Sequence, residues 1–163
     1  MAVSAGILPF RRTPDLEVLI AHPGGPLWAR RDEGAWTVIK GELEPGEHPL
    51  AAAVREFTEE TGWELPAGSY LDLGFVEQKS GKVVAAWAVE ADFDPDTLRP
   101  GTFTMVWPPR SGRVQEFPEI DRVAWFDLDT AAAKLNPAQR AFLDRLHQGL
   151  AEPKTARWDT VVP

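Results

Sequence analysis

Residues 55–62 read REFTEETG and set Glu56, Glu59 and Glu60 three or four positions apart. An α-helix advances about 100° per residue, so these three carboxylates would share an arc of about 100°. Like charges at that spacing repel each other, and a helix gains no stability from gathering them. Such a cluster is either a plain solvated acidic face or a place where cations are held. The flanking sequence decides between the two.

The segment fits a helix over 49–61. Pro49 suits a first turn, and Gly62 falls where a helix stops. Leu50, Ala53, Val54 and Phe57 recur at helical spacing and form an apolar stripe, with the glutamates set apart from it. One face packs while the other collects negative charge. Oxygen-only ligands on a rigid helix select hard divalent cations, Mg²⁺ or Mn²⁺, which also suit phosphate oxygens. Without a cation, mutual repulsion raises at least one of the carboxyl pKa values.

Further out, Gly41, Glu47, Arg55, Glu56, Glu59, Glu60 and Gly62 stand in the order G-x5-E-x7-R-E-x-x-E-E-x-G. With that spacing the chain resembles the Nudix hydrolase family. Phe57 and Trp63 fill the two positions that carry bulky aliphatic residues in the family signature, keeping apolar character and changing shape. The resemblance implies an α/β/α sandwich with a mixed β-sheet, and metal-dependent hydrolysis of a phosphoanhydride in a nucleoside diphosphate-linked substrate. It implies that Glu56, Glu59 and Glu60 hold metal together with the Gly41 carbonyl. Glu47 and Arg55 are implied to brace the loop against the helix, and arginine suits such a bidentate carboxylate pair.

Expectations for the rest of the site follow. The base is one of the helix glutamates, Glu59 or Glu56, or a carboxylate from the segment RVQEFPEID, which offers Glu116 and Glu119; Glu116 is favoured. Lys40 precedes Gly41 and is expected beside the phosphates. Polyphosphate-cleaving branches of the family often carry Pro-Lys-Gly there, where this chain has Ile39-Lys40-Gly41. Arg30 and Arg31, in the long loop HPGGPLWARRDEGAW, are candidate phosphate contacts. Trp36 and Trp28 are candidates for stacking on a nucleobase, since aromatic faces accept flat rings. Trp87, Trp107 and Trp125 fall in apolar strand contexts and read as core, and His22 reads as structural. A second reading keeps the fold but makes it a nucleotide-sensing module that binds without hydrolysing.

Around the motif, strands are expected over 4–12, 16–22, 35–39, 70–78, 82–91, 103–107 and 123–126. A second amphipathic helix over 137–150 would turn Phe142, Leu143 and Leu146 inward. Strands interleaved with helices make a mixed α/β layer fold, assigned to residues 1–150. The tail over 151–163 shows no clear element; Trp158 can dock it onto the domain or onto a partner subunit in a homodimer, or it can fray.

The length of 163 residues suits one domain. A hydrophobic fraction of 44% and a charged fraction of 26% fit an ordinary globular chain. With no cysteine, disulfides, thiolate metal sites and cysteine nucleophiles are excluded. The formal net charge of -8 argues against sequence-independent binding of polymeric nucleic acid, which relies on Lys and Arg. It leaves room for a small phosphorylated substrate whose charge is met by bound cations. No signal peptide or membrane span is read, which makes the cytoplasm the expected location.

Overall fold

The structure is a computed structural model that describes residues 2–161. The strands are β1 (Val3–Arg11), β2 (Glu17–Pro23), β3 (Ile39–Glu42), β4 (Gly68–Glu77), β5 (Val83–Glu90), β6 (Thr102–Val106), β7 (Val114–Pro118), β8 (Ile120–Asp127) and β9 (Trp158–Val161). The α-helices are α1 (Pro49–Thr61), α2 (Leu128–Lys134) and α3 (Arg140–Ala151).

A seven-stranded sheet runs in the order β8-β2-β1-β5-β4-β9, with β3 also paired to β1. β1 and β5 are parallel, and the remaining pairs are antiparallel. The end of β1 pairs with β2, Phe10 opposite Val18, while its beginning pairs with β3, Ser4 opposite Glu42 and Ile7 opposite Ile39. β2 and β3 thus divide β1 between them, and the long loop separating them rises from the sheet at that fork.

The sheet is covered on both faces, so its inner strands are apolar almost throughout. Leu8, Phe10, Val18 and Ile20 join a core closed by Phe142, Leu143 and Leu146 of α3. The alternate residues Ala5, Ile7, Leu19 and Ala21 join a second core with Leu50, Ala53 and Phe57 of α1. Two cores on one two-faced sheet make the three-layer α/β/α arrangement, as expected. Phe57 and Trp63 meet at Phe93, whose ring stacks on Trp63 with centroids 4.8 Å apart.

Several elements depart from the sequence reading. The strand expected over 35–39 starts only at Ile39; Trp36 and Thr37 make isolated bridges, to Leu135 and Ala21. α2 and β7 were not anticipated, and residues 158–161 pair with β4 as β9 instead of lacking structure. Trp87 is buried as expected, whereas Trp107 and Trp125 are only partly so. Among the described residues no helix is long and apolar enough to cross a membrane.

Candidate active site

α1 begins where the His48 ring accepts a hydrogen bond from the Leu50 N–H, with Pro49 in the first turn. It ends at Gly62, in the left-handed conformation at φ 78°, which glycine adopts without steric cost. Between these caps the apolar stripe is buried and the glutamates look into a cleft of about 720 Å³. That size falls in the usual range for small-ligand sites.

Gly41, Glu56, Glu59 and Glu60 all line the cleft, and Lys40 lies on the β3 side. Gly41 has no left-handed φ; its need for glycine is close approach. A Cβ there would lie 2.0 Å from the Glu56 carboxyl group, so the missing side chain makes room for that carboxylate against β3.

Arg55 organises the acidic face. Its Nε and Nη2 donate to the two Glu47 oxygens at 2.8 Å each, and Nη1 donates to Glu56 at 2.9 Å and Glu59 at 3.0 Å. The bidentate pair holds the Glu47 carboxyl down to about 2. Glu56 is raised, chiefly by burial, although Arg55 opposes the shift. Glu60 is pushed up to about 7, first by burial and then by the charges of Glu119, Glu56 and Glu59.

Among the described residues no three acidic or histidine side chains already enclose a metal. The donors nonetheless fit a hard divalent cation. All are oxygen, the Gly41 cradle admits the Glu56 carboxylate, and the one cation on the helix, Arg55, is already bridging Glu56 and Glu59. Glu59 is 56% exposed, with Arg55 bonded to one of its oxygens.

Lys82, just before β5, also lines the cleft and neighbours Lys40. Burial and the Lys82 ammonium bring the Lys40 ammonium down to about 8. Two cations therefore face the carboxylate helix. Lys82 escaped the sequence reading because it gets there through pairing of β5 with β1, Val83 opposite Val3, which no local pattern reveals.

Other expectations are corrected. Glu116 is exposed on β7, opposite Thr104, and lies outside the cleft lining; Glu119 lines the cleft and acts on Glu60. Trp36 is 3% exposed, donates from Nε1 to Asp32 at 2.8 Å, and packs edge-on against His22 and Phe126. It is core and leaves no ring face for a base. Trp28 does line the cleft. Arg30 is exposed and outside the lining. The carbonyl of Arg31 is bonded to His22 Nε2 at 2.6 Å, and Asp121 holds Nδ1 at 2.9 Å, so His22 anchors the loop that carries Trp28.

A family model described as the NUDIX domain matches residues 2–146. The chain is 40% identical over 65 residues to a bis(5'-nucleosyl)-tetraphosphatase (asymmetrical) of Rattus norvegicus, covering 36% of this chain and 44% of that one. It is 24% identical to an RNA pyrophosphohydrolase of Agrobacterium fabrum, over 90% of this chain and 94% of that one. A C. elegans Ap4A hydrolase in a binary complex superposes with a TM-score of 0.61 at 22% identity, covering 93% of this chain and 98% of that one, which shows the shared fold. The chain spans only 30% and 44% of the first two curated relatives it matches.

Proposed function

We propose, from the premise that the chain belongs to the NUDIX domain family, that it is a pyrophosphohydrolase cleaving a nucleoside triphosphate or dinucleoside polyphosphate. The observation that carries this reading is the cleft itself, where the α1 carboxylates face Lys40 and Lys82. Relatives named for cleaving nucleotide polyphosphates support the choice of substrate.

Glu56, Glu59 and Glu60, with the Gly41 carbonyl, would hold Mg²⁺ or Mn²⁺. Either ion supplies Lewis-acid polarisation of phosphoryl oxygens when bound. Lys40 and Lys82 bind the remaining phosphate oxygens and orient the anhydride. A carboxylate, Glu59 or Glu56 on the helix or Glu119 across from it, takes the proton from water as the water oxygen attacks phosphorus. The P–O anhydride bond breaks, and its electron pair leaves on the departing phosphate. Arg55 and Glu47 touch no reacting atom; they position Glu56 and Glu59.

The test is a panel of nucleoside triphosphates, dinucleoside polyphosphates and 5'-triphosphorylated RNA, incubated with Mg²⁺, Mn²⁺ or a chelator, with products identified. Metal-dependent release of phosphate, pyrophosphate or a nucleotide from the small substrates is expected. Tight nucleotide binding with no product under either metal would favour the sensing module instead.

A further inference from the structure

Gln139 is fully buried on the 3-10 turn Pro137–Gln139 that leads into α3, yet its amide makes three hydrogen bonds. Oε1 accepts from the Val38 N–H at 2.8 Å, and Nε2 donates to Thr37 Oγ1 and to Gln78 Oε1 at 2.9 Å each. We infer that Gln139 is a positioning residue for phosphate binding. It ties the segment that delivers Lys40 to the hairpin end that delivers Lys82, and so sets the spacing of the two ammonium groups. The inference rests on the reading that this cleft takes the phosphates.

The amide can sit only one way round. The Val38 N–H is a donor, which fixes the Gln139 oxygen on that side and the nitrogen on the other. Thr37 Oγ1 directs its own hydrogen to the Val38 carbonyl at 2.9 Å and is left to accept from Nε2.

The first tie fills a gap in the sheet. Thr37 exchanges both backbone bonds with Ala21 of β2, at 2.9 Å each. Successive N–H groups of an extended segment point to opposite edges, so those of Trp36 and Val38 face away from β2. The Lys134 carbonyl meets the first at 3.0 Å, and the Gln139 amide meets the second. A buried backbone N–H needs such a partner. Gln139 supplies it one residue before β3 begins and two before Lys40.

The second tie reaches the turn between β4 and β5. Gln78 N–H donates to the Lys82 carbonyl at 2.8 Å, so the residue held by Gln139 through its side chain holds Lys82 through its backbone. The turn that carries Gln139 is anchored in its turn, since Asn136 N–H donates to the Trp36 carbonyl at 2.8 Å. Thr37, Val38, Lys40 and Lys82 line the cleft, and Gln139 stands behind them. Like charges held side by side drift apart unless the backbone beneath them is fixed. Gln139 is the one side chain bonded to both of those backbone segments.

The test compares the wild type with Gln139→Met, Gln78→Ala and the double variant. Affinity for methylenediphosphonate, a pyrophosphate mimic that resists hydrolysis, is read by isothermal titration in Mg²⁺, and KM and kcat on the best substrate of the panel. Gln139→Met should weaken the mimic and raise KM by about tenfold, with kcat and the Mg²⁺ concentration for half-maximal rate within about twofold. Gln78→Ala, at a partly exposed residue, should move the same two quantities in the same direction. The double variant should be no worse than Gln139→Met, because both changes cut one link. Should Gln139→Met fail to fold, Gln78→Ala decides alone.

Unchanged affinity and KM in Gln78→Ala, a loss falling on kcat and metal dependence instead, additive losses in the double variant, or no binding of the mimic to the wild type would overturn the inference. Turnover with KM indifferent to Gln78→Ala would sink the link and spare the hydrolase reading. Gln78-dependent binding of the mimic with no turnover of any substrate would do the reverse.

Discussion

Arg55 grips both oxygens of Glu47 at 2.8 Å and extends its remaining amino group to Glu56 and Glu59. One side chain thus fixes the loop before α1 and the two carboxylates on it. Lysine cannot reproduce this fork. Arg55→Lys should lower kcat/KM by about tenfold or more, equivalent to about 1.4 kcal/mol of transition-state stabilisation. It should also raise the Mg²⁺ concentration needed for half-maximal rate. An unchanged metal titration would show that the pair does not organise the helix face.

Gly41→Ala places a methyl group 2.0 Å from the Glu56 carboxyl. That carboxyl is the far end of a flexible side chain, so the fold can adjust while the metal-binding arrangement cannot. The metal-free variant should melt within a few degrees of the wild type. The rise in Tm that saturating Mg²⁺ or Mn²⁺ gives the wild type should largely disappear. Differential scanning calorimetry with and without metal decides this.

Glu60 gives the metal-free protein a characteristic pH dependence. Its folded value of about 7 exceeds the ordinary 4.5, so between those values the folded chain binds more protons than the unfolded one. Stability in a chelator should therefore fall as pH rises from about 4.5 through about 7, and Glu60→Gln should flatten that slope. Lys40 acts oppositely and later: lowered from 10.5 to about 8, it makes stability rise with pH only above about 8. Urea unfolding at stepped pH measures both limbs. Metal binding near pH 6 should release protons, which titration in buffers of different ionisation enthalpy would detect.

Glu119→Gln and Glu116→Gln separate the two acidic candidates of the segment before β8. Glu119 borders the cleft and Glu116 does not. The first should reduce kcat by about tenfold or more, in the range of a lost general base. The second should leave kcat and KM within about twofold. Steady-state kinetics on the best substrate of the panel provides the comparison, and the opposite ranking would restore Glu116.

The parts of this molecule legible in the sequence are those fixed by local spacing. α1, its stop at Gly62 and its buried stripe lie where 3.6-residue periodicity and turn chemistry speak directly, and the Arg55–Glu47 brace is implied by the resemblance to the family. What could not be read depends on distant partners. Trp36 looks like a strand aromatic open to a ligand until α2 closes over it, its backbone N–H bonded to the Lys134 carbonyl at 3.0 Å. Lys82 and Lys40 become neighbours only because β3 and β5 both pair with β1. Which of Glu116 and Glu119 meets α1 is decided by the β6–β7 hairpin, whose second strand ends at Pro118 and releases Glu119 toward the cleft.

β9 hydrogen-bonds along the outer edge of β4, Gly68 opposite Val161 and Leu71 opposite Trp158, and Asp159 accepts from the Trp87 indole at 2.8 Å. On the ribosome, β4 and β5 emerge well before residues 158–161. Throughout that interval β4 presents an unpaired row of backbone donors and acceptors, open to any extended segment nearby. The nascent chain thus carries an open sheet edge from the synthesis of β4 onward and covers it only when its last described strand arrives.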